Sequence, residues 1–342
     1  MSTPTIQKAL LLDSKFGNFV VQDSSVPKPG TGELLVKVKS AALNPVDWMI
    51  QKYGIIFEEY PAILGVDGAG EIVEIGDDVS QWKIGDRVFF QGIFENKGGS
   101  FQQYIVASAY HAARIPERFS FDDVASIPLG LATAYIGLYN KKPYGLEFES
   151  PVLRSSQGKY SGTPLVVFGG GSSVGQYALQ LANASGFSPI ITTASEKHTD
   201  YLKSLGATHV IDRHISSSAL SSEILKITDK PITAIYDAIS TKETQQDAHT
   251  ILAPGGTIAL VCPPALEASD GKTFISLFAA RNLPQNSALL ENMYTALTQW
   301  VEEGIIKPNR IEVLPNGLAG ITDGLKRLEN KEISGLKLIA HP

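Results

Sequence analysis

Cysteines and long apolar runs are scarce in this chain of 342 residues, and each scarcity excludes a class of protein. The single cysteine, Cys262, excludes an internal disulfide and a structural zinc lobe built from three or four thiolates. No segment reaches the roughly 18 apolar residues of a membrane span, and the N-terminal apolar run is too short for a signal peptide. We therefore expect a cytoplasmic protein that does not associate with a membrane.

Concentrated positive charge is missing as well. The formal net charge is −6 with acidic and basic residues interspersed, so neither nucleic acid nor an anionic membrane surface is an expected partner. Hydrophobic residues make up 43% of the chain and charged residues 19%, which is typical of a globular protein. Because one core rarely grows beyond roughly 250–300 residues, the length predicts two domains and a cleft that can hold a small-molecule substrate.

Two patterns divide the chain and predict an α/β fold. Residues 1–125 contain short strand-like runs broken by Gly and Pro, which indicates a β-rich domain. Residues 126–285 alternate apolar runs with helical segments, as the βαβ units of a doubly wound parallel sheet require. Residues 286–342 leave that rhythm and are expected to return to the first domain, while the Ser, Gly and Pro-rich stretch 148–164 is expected to be an inserted surface loop. The parallel strands are predicted at 165–169, 188–194, 209–213, 232–239 and 256–262.

A glycine-rich turn follows the first of these strands and opens a helix, in the sequence PLVVFGGGSSVGQYALQLA. Glycines let the backbone approach a pyrophosphate closely, and the N–H groups at the helix N-terminus bind its charge. Because the turn opens a series of βα repeats, we interpret it as a dinucleotide site rather than a purely structural turn. The residues predicted to bind the cofactor here are Gly169, Gly170, Gly171, Ser172, Ser173, Val174 and Gly175.

The end of the second strand distinguishes the two nicotinamide dinucleotides. NAD enzymes place a carboxylate there to accept hydrogen bonds from the ribose 2′-OH. This chain has Ser195, Lys197 and His198 instead, and Arg213 closes the third strand. Hydroxyl and cationic donors suit a 2′-phosphate, so NADPH is the predicted cofactor. Alternatively, Ser195 is only a helix cap, and Lys197 and His198 belong to a solvated helix start.

Several ordered motifs resemble the quinone reductase and enoyl reductase branch of the medium-chain dehydrogenases/reductases, and the ending ISGLKLIAHP resembles fungal members that act in trans with polyketide synthases. The resemblance implies a GroES-like β domain joined to a Rossmann domain. It also implies hydride transfer from the nicotinamide to a carbon conjugated to a carbonyl, in an enone or a carrier-bound enoyl thioester. The motifs that carry it are NPVDWMIQKYG (44–54), PAILGVDGAGEIVEIG (61–76), WKIGDRVF (82–89), GGSFQQYIV (98–106) and SLGATHVID (204–212).

Zinc alcohol dehydrogenases share this architecture, but their metal needs a Cys and a His-Glu pair. The corresponding segments here run from Asn44 to Asp47 and over GVDG at 65–68, and the six histidines show no ligand spacing. We therefore predict no catalytic metal. Without a Lewis acid, the developing enolate needs hydrogen-bond donors and a proton source.

Three residues are the catalytic candidates. Tyr53 follows the Asn-Pro-x-Asp motif where mitochondrial-type enoyl reductases, which the segment resembles, place a tyrosine acid; the alternative is packing beside Phe57 and Tyr60. Thr133 matches a threonine of the fungal trans-acting group and can donate to a substrate carbonyl, or can be a packing residue. Asn44 is a candidate for orienting the nicotinamide ribose or substrate, although Asn-Pro also suits a simple turn.

Two further expectations concern Met49 and the last strands of the nucleotide sheet. Met49 replaces a lysine of the trans-acting reductases, which weakens the expectation of a polyketide partner. Val261, at the end of the fifth strand, is predicted to line the nicotinamide side of the cofactor. The family resemblance also implies pairing of two copies through an edge such as FISLFAA, so a homodimer is one expectation.

Three functions remain open at this point. The first is NADPH-dependent reduction of an activated C=C bond. Quinone reduction uses the same fold and cofactor, and a catalytically silent NADPH-binding scaffold or sensor is the third.

Overall fold

A computed structural model describes residues 3–342. Its N-terminal part is built mainly from strands; in the long strand β3, Leu34, Leu35, Val36 and Val38 are buried and Lys37 is exposed. Between residues 3 and 114 the structure has eight strands and one helix: β1 (Ile6–Leu12), β2 (Phe19–Ser25), β3 (Glu33–Ala42), α1 (Pro45–Tyr53), β4 (Ala62–Ile63), β5 (Asp67–Ile75), β6 (Arg87–Gln91), β7 (Tyr104–Ser108) and β8 (Ala112–Arg114).

The C-terminal segment joins the larger of the two sheets in this part of the molecule. β15 (Ile311–Val313) and β16 (Lys337–Ala340) run parallel to each other, and β16 pairs with β3. The resulting order is β15-β16-β3-β5-β6-β8, with β7 also paired to β3, while β2-β1-β4 form a smaller sheet. Between β15 and β16, α9 (Gly317–Glu329) packs against α1. The domain limits at 125 and 285 stay predictions.

The middle of the chain is a six-stranded parallel sheet, which confirms the predicted fold class. Its strand order is β11-β10-β9-β12-β13-β14, with every neighbouring pair parallel. The order reverses beside β9, and ligands bind outside the carboxyl ends of the strands at such a point. The strands are β9 (Leu165–Phe168), β10 (Ile190–Ala194), β11 (His209–Asp212), β12 (Ala234–Asp237), β13 (Thr257–Leu260) and β14 (Thr273–Ser276).

Helices surround this sheet. α3 is buried almost along its whole length and packs against both α4 and α8. α2 precedes it and packs on β3 and β5 of the first sheet. The helices are α2 (Phe121–Ala125), α3 (Pro128–Tyr139), α4 (Ser173–Ser185), α5 (Thr199–Ser204), α6 (Ser217–Ile227), α7 (Lys242–Ile251) and α8 (Pro284–Glu303).

Strand β12 ends earlier than its apolar run suggests. The prediction extended to residue 239, but the Asp237 carboxylate accepts the N–H groups of Ile239 and Ser240, at 3.0 and 2.8 Å, and turns the chain away from the ladder. Ser240 has a positive φ of 57° in this turn. A local side-chain hydrogen bond therefore competes successfully with strand extension.

The stretch 148–164 contains only a short 3₁₀ turn, Arg154–Ser156, among loops and turns. Aromatic contacts hold it to the sheet domain, because Tyr160 stacks on Phe187 with ring centroids 4.6 Å apart and Phe148 meets Phe187 edge-on at 4.8 Å. Within residues 3–342, no helix combines the length and apolar character needed to cross a bilayer.

Candidate functional site

The glycine-rich turn lies between β9 and α4, at the point where the sheet order reverses. Gly169 has φ 74°, and Gly175 approaches Gly169 so closely that an added Cβ would lie 2.2 Å from its carbonyl oxygen. Ser172 caps α4 by accepting the N–H of Gly175 at 3.0 Å. These constraints explain why small residues stand on both sides of the turn.

Donors for a pyrophosphate are left free at this helix start. Within residues 3–342, the N–H groups of Gly171, Ser173 and Val174 have no backbone or side-chain acceptor. The Ser173 hydroxyl, in contrast, donates to Asn309 Oδ1 at 2.6 Å. The backbone of the turn therefore fits a phosphate group, while the Ser173 side chain is already engaged.

The residues predicted for the 2′-phosphate lie together at the ends of β10 and β11. Arg213 N–H donates to the carbonyl of Ala194 at 2.9 Å, which places Arg213 beside Ser195. Ser195 and Lys197 are at least partly exposed, whereas His198 is buried. Burial lowers the pKa of His198, helped by nearby positive charges that include Lys197 and Arg213. A neutral His198 can still donate one hydrogen bond.

The chain returning from the C-terminus also reaches this place. His198 Nε2 lies 3.0 Å from the hydroxyl of Ser334, and an added Cβ at Gly335 would lie 2.5 Å from His198 Cε1. Asn309 contacts the start of α4, because its amide nitrogen donates to Gln176 Oε1 at 2.8 Å. No sequence pattern pointed to Asn309, which lies in a loop far from the turn in sequence. Ser334 and Gly335 were included only in the ending ISGLKLIAHP, through its family resemblance.

A buried polar cluster lies in the first domain beside α3. Asn44 is 4% exposed, its Nδ2 donates to Asp67 Oδ2 at 2.8 Å, and its Oδ1 accepts from Lys337 Nζ at 2.5 Å. Lys337 Nζ also lies 3.0 Å from Asp67 Oδ2, with both side chains almost fully buried. Asp67 Oδ1 accepts the N–H of Leu129 at the start of α3, at 2.6 Å. The cluster therefore joins α1, β5, β16 and α3.

This cluster limits what Asn44 can do. The side-chain amide of Asn44 is bonded within the protein through both its nitrogen and its oxygen. Its backbone N–H donates to Asp47 Oδ2 at 2.8 Å. Burial raises the pKa of Asp47 to about 7, against the opposing effect of that hydrogen bond. We therefore interpret Asn44 as holding the start of α1 in place, while its predicted contact with cofactor or substrate stays a prediction.

The other two catalytic candidates differ in the state of their hydroxyl groups. The Thr133 hydroxyl donates to Leu129 O at 2.7 Å within α3, so its proton is already used. Tyr53, the last residue of α1, is 55% exposed, and its hydroxyl has no hydrogen-bond partner within residues 3–342. Met49 is four residues earlier and shares its helix face. Of the three candidates, Tyr53 therefore keeps a donor free for a ligand.

Val261 and Cys262 follow strand β13, and the Val261 backbone is bonded within the protein. Val261 N–H is held by the Ser240 hydroxyl at 2.9 Å and by Asp237 O at 3.3 Å. Val261 and Cys262 are partly exposed, and burial raises the pKa of the Cys262 thiol. Because β13 ends at Leu260, Val261 lies at the carboxyl edge of the sheet, as its predicted place beside the cofactor requires.

The buried polar cluster of Asn44, Asp67 and Lys337 differs from a metal site. Among residues 3–342, no group of three or more His, Cys, Asp or Glu side chains lies close enough to hold a metal ion. Instead, the ammonium group of Lys337 bonds the carboxylate of Asp67. A cation in this position competes with a metal ion for the same oxygen ligand, so these residues do not fit zinc.

Comparison with known proteins identifies the family. The model of the alcohol dehydrogenase GroES-like domain matches residues 30–117, and that of the zinc-binding dehydrogenase matches residues 173–301. The dehydrogenase orsE of Emericella nidulans is 31% identical over 95% of this chain and 97% of its own length. The chain belongs to the medium-chain dehydrogenase/reductase family. It is an oxidoreductase of that family, as the motifs predict.

Further relatives agree with the predicted branch of this medium-chain family. The trans-enoyl reductase resD of Aspergillus sclerotiorum is 29% identical over 94% of this chain and 96% of its own length. The quinone oxidoreductase from Coxiella burnetii is 26% identical, with a TM-score of 0.73 and 98% of each chain covered. A crotonyl-CoA carboxylase/reductase, AntE V350A in complex with NADP, shares the fold at 18% identity, with a TM-score of 0.77 over 99% of this chain and 96% of that chain. These likenesses are consistent with the enoyl and quinone reductase branch.

Proposed function

We propose that this chain is an NADPH-dependent reductase that transfers hydride to the activated C=C bond of an enone or an enoyl thioester without zinc. The observation that carries the proposal is the ammonium group of Lys337, 3.0 Å from Asp67 in the region where zinc alcohol dehydrogenases place their metal ligands. A site without a Lewis acid suits the reduction of an already polarised double bond better than the oxidation of an alcohol.

The cofactor part of the proposal rests on the turn and the cations around it. The N–H groups of Gly171, Ser173 and Val174 bind the pyrophosphate. Ser195, Lys197 and Arg213 take the place of the acid that NAD enzymes use, and so bind a 2′-phosphate. NADPH supplies the hydride when it is bound. The NADP complex of the structurally similar AntE V350A agrees with this choice.

The proton is assigned to Tyr53 in this proposal. Its side chain is 55% exposed and its hydroxyl has no hydrogen-bond partner in the described part of the chain. A phenol is protonated at neutral pH, so it can donate to the carbon next to the site of hydride addition. Thr133 would first have to give up its hydrogen bond to Leu129. The protein need supply no other acid for the reaction to balance, because hydride and one proton reduce one C=C bond.

A substrate panel tests the function. NADPH oxidation is followed with an enone, an enoyl thioester and a quinone, and NADP⁺ reduction is followed with a primary alcohol, before and after exhaustive chelation. Turnover of the enone or thioester that survives chelation is the expected result. Activity confined to the alcohol and lost with zinc would overturn the proposal, and cofactor binding without any turnover would favour a silent scaffold.

Quinone reduction is the second candidate. It is favoured by the whole-length likeness to the quinone oxidoreductase from Coxiella burnetii. In the same panel, a quinone turned over at least about tenfold faster than both C=C acceptors would select this alternative; that ratio corresponds to about 1.4 kcal/mol of transition-state free energy.

A further inference from the structure

We propose that Arg310, which comes from the returning C-terminal segment rather than from the nucleotide sheet, binds the 2′-phosphate of NADPH and contributes to the choice of NADPH over NADH. The inference rests on the proposed use of NADPH. It adds a residue that none of the sequence motifs includes.

The backbone places Arg310 beside the predicted phosphate site. Its carbonyl accepts the N–H of Lys337 at 2.8 Å, so Arg310 runs alongside the segment that enters β16. That segment includes Ser334 and Gly335, which contact the ring of His198. Arg310 and His198 therefore approach the same region from two different domains.

The side chain of Arg310 is held by stacking. Its guanidinium carbon lies 3.7 Å from the ring centroid of Tyr201. The Tyr201 hydroxyl donates to Gln176 Oε1 at 2.9 Å, and Gln176 Nε2 donates to the carbonyl of Gly171 at 3.1 Å. Arg310 is thus linked to the glycine-rich turn through two side chains. A stacked guanidinium keeps its edge N–H groups available for a phosphate.

The positive charges around His198 also support a phosphate site that includes Arg310. Arg310 is exposed, and neither Arg310, Lys197 nor Arg213 has a carboxylate within 4.0 Å among residues 3–342. The positive charges of all three residues act on His198. Cations gathered without acidic partners repel one another, so a doubly charged phosphate among them is stabilised by each. NADH lacks the 2′-phosphate, so it would gain no such stabilisation from Arg310.

The test compares NADPH and NADH dissociation constants for the wild-type protein and Arg310→Gln, by fluorescence titration at low ionic strength. We expect the NADPH constant to rise by about tenfold or more and the NADH constant to change by less than about twofold. Lys307→Gln is the matched control, because Lys307 is an exposed cation in the same segment whose Nζ donates to Ser204 O. Its two constants should match those of the wild type.

The possible outcomes separate this inference from the proposed function. Equal affinity of the wild type for both cofactors would overturn the NADPH assignment and the role of Arg310 together. A wild-type preference that survives Arg310→Gln would overturn only the role of Arg310. If Arg310→Gln does not fold, Arg310→Lys is measured instead, and an unchanged NADPH constant in that variant would also count against the role, because lysine loses the planar fork.

Discussion

Lys337→Met removes the buried ammonium group and keeps a side chain of similar length. The wild-type ammonium lies 3.0 Å from Asp67 Oδ2 and 2.5 Å from Asn44 Oδ1, with 4% of the Lys337 side chain exposed. Removing one member of a buried ion pair typically costs about 3–5 kcal/mol, because the other charge stays buried without compensation. Among residues 3–342, Asp67 would retain only the hydrogen bonds from Leu129 and Asn44.

The expected loss in the free energy of unfolding corresponds to a lower melting temperature, Tm. A chain of 342 residues has an unfolding entropy of about 0.7 kcal/mol/K, so about 3–5 kcal/mol lowers the Tm by about 4–7 °C. Differential scanning fluorimetry at neutral pH measures this shift. Adding Asp67→Asn to Lys337→Met should recover part of the loss, because the uncompensated charge is then removed.

Lys8→Met is the control for this experiment. Lys8 pairs with Asp23 at 2.8 Å, but their side chains are 57% and 66% exposed. Exposed pairs contribute about 0–1 kcal/mol, so the Tm should fall by less than about 2 °C. A Lys337→Met protein with a Tm as close to the wild type as that of Lys8→Met would refute the account of the buried cluster.

Three further predictions follow from the site and the sheet. Tyr53→Phe should lower enone turnover by at least about tenfold and leave NADPH affinity unchanged, and a larger loss in Thr133→Val would move the acid role to Thr133. Burial raises the Asp47 pKa to about 7, so ionisation of Asp47 destabilises the folded state as pH rises from about 4 to about 7. The stability advantage of Asp47→Asn should grow over that range by up to about 4 kcal/mol, or about 6 °C in Tm, and parallel Tm curves would contradict this. The edge strand Thr273–Ser276 leaves backbone groups unpaired within the described sheet, so light scattering should show a dimer, and a monomer at micromolar concentration would count against pairing at this edge.

The parallel sheet was predictable because its signals are local. Apolar runs such as LVVF and TIAL alternate with helices, and the glycines after β9 are needed for a positive φ at Gly169 and a close approach at Gly175. The end of β12 was less predictable, because the Asp237 side chain competes for backbone N–H groups and shortens the strand. No apolar pattern reports such a bond.

Much of the candidate site depends on residues far apart in sequence. Asn44 and Lys337 are 293 positions apart and share one hydrogen bond, and His198 meets Ser334 across 136 positions. Lysine within the apolar run LKLIA was a signal, since a lysine is rarely buried without a partner, but the sequence could not name Asp67 as that partner. The pairing of β16 with β3 brings Lys337 near Asn44, and no local sequence pattern reports that pairing.

The most direct test of the central claim is NADPH oxidation by exhaustively chelated protein in the presence of an enoyl thioester or an enone, with NADH as the comparison cofactor. We expect turnover of at least one C=C acceptor, unchanged by chelation and at least about tenfold more efficient with NADPH than with NADH. No oxidation with either acceptor, or activity that disappears with bound zinc and returns when zinc is restored, would contradict it.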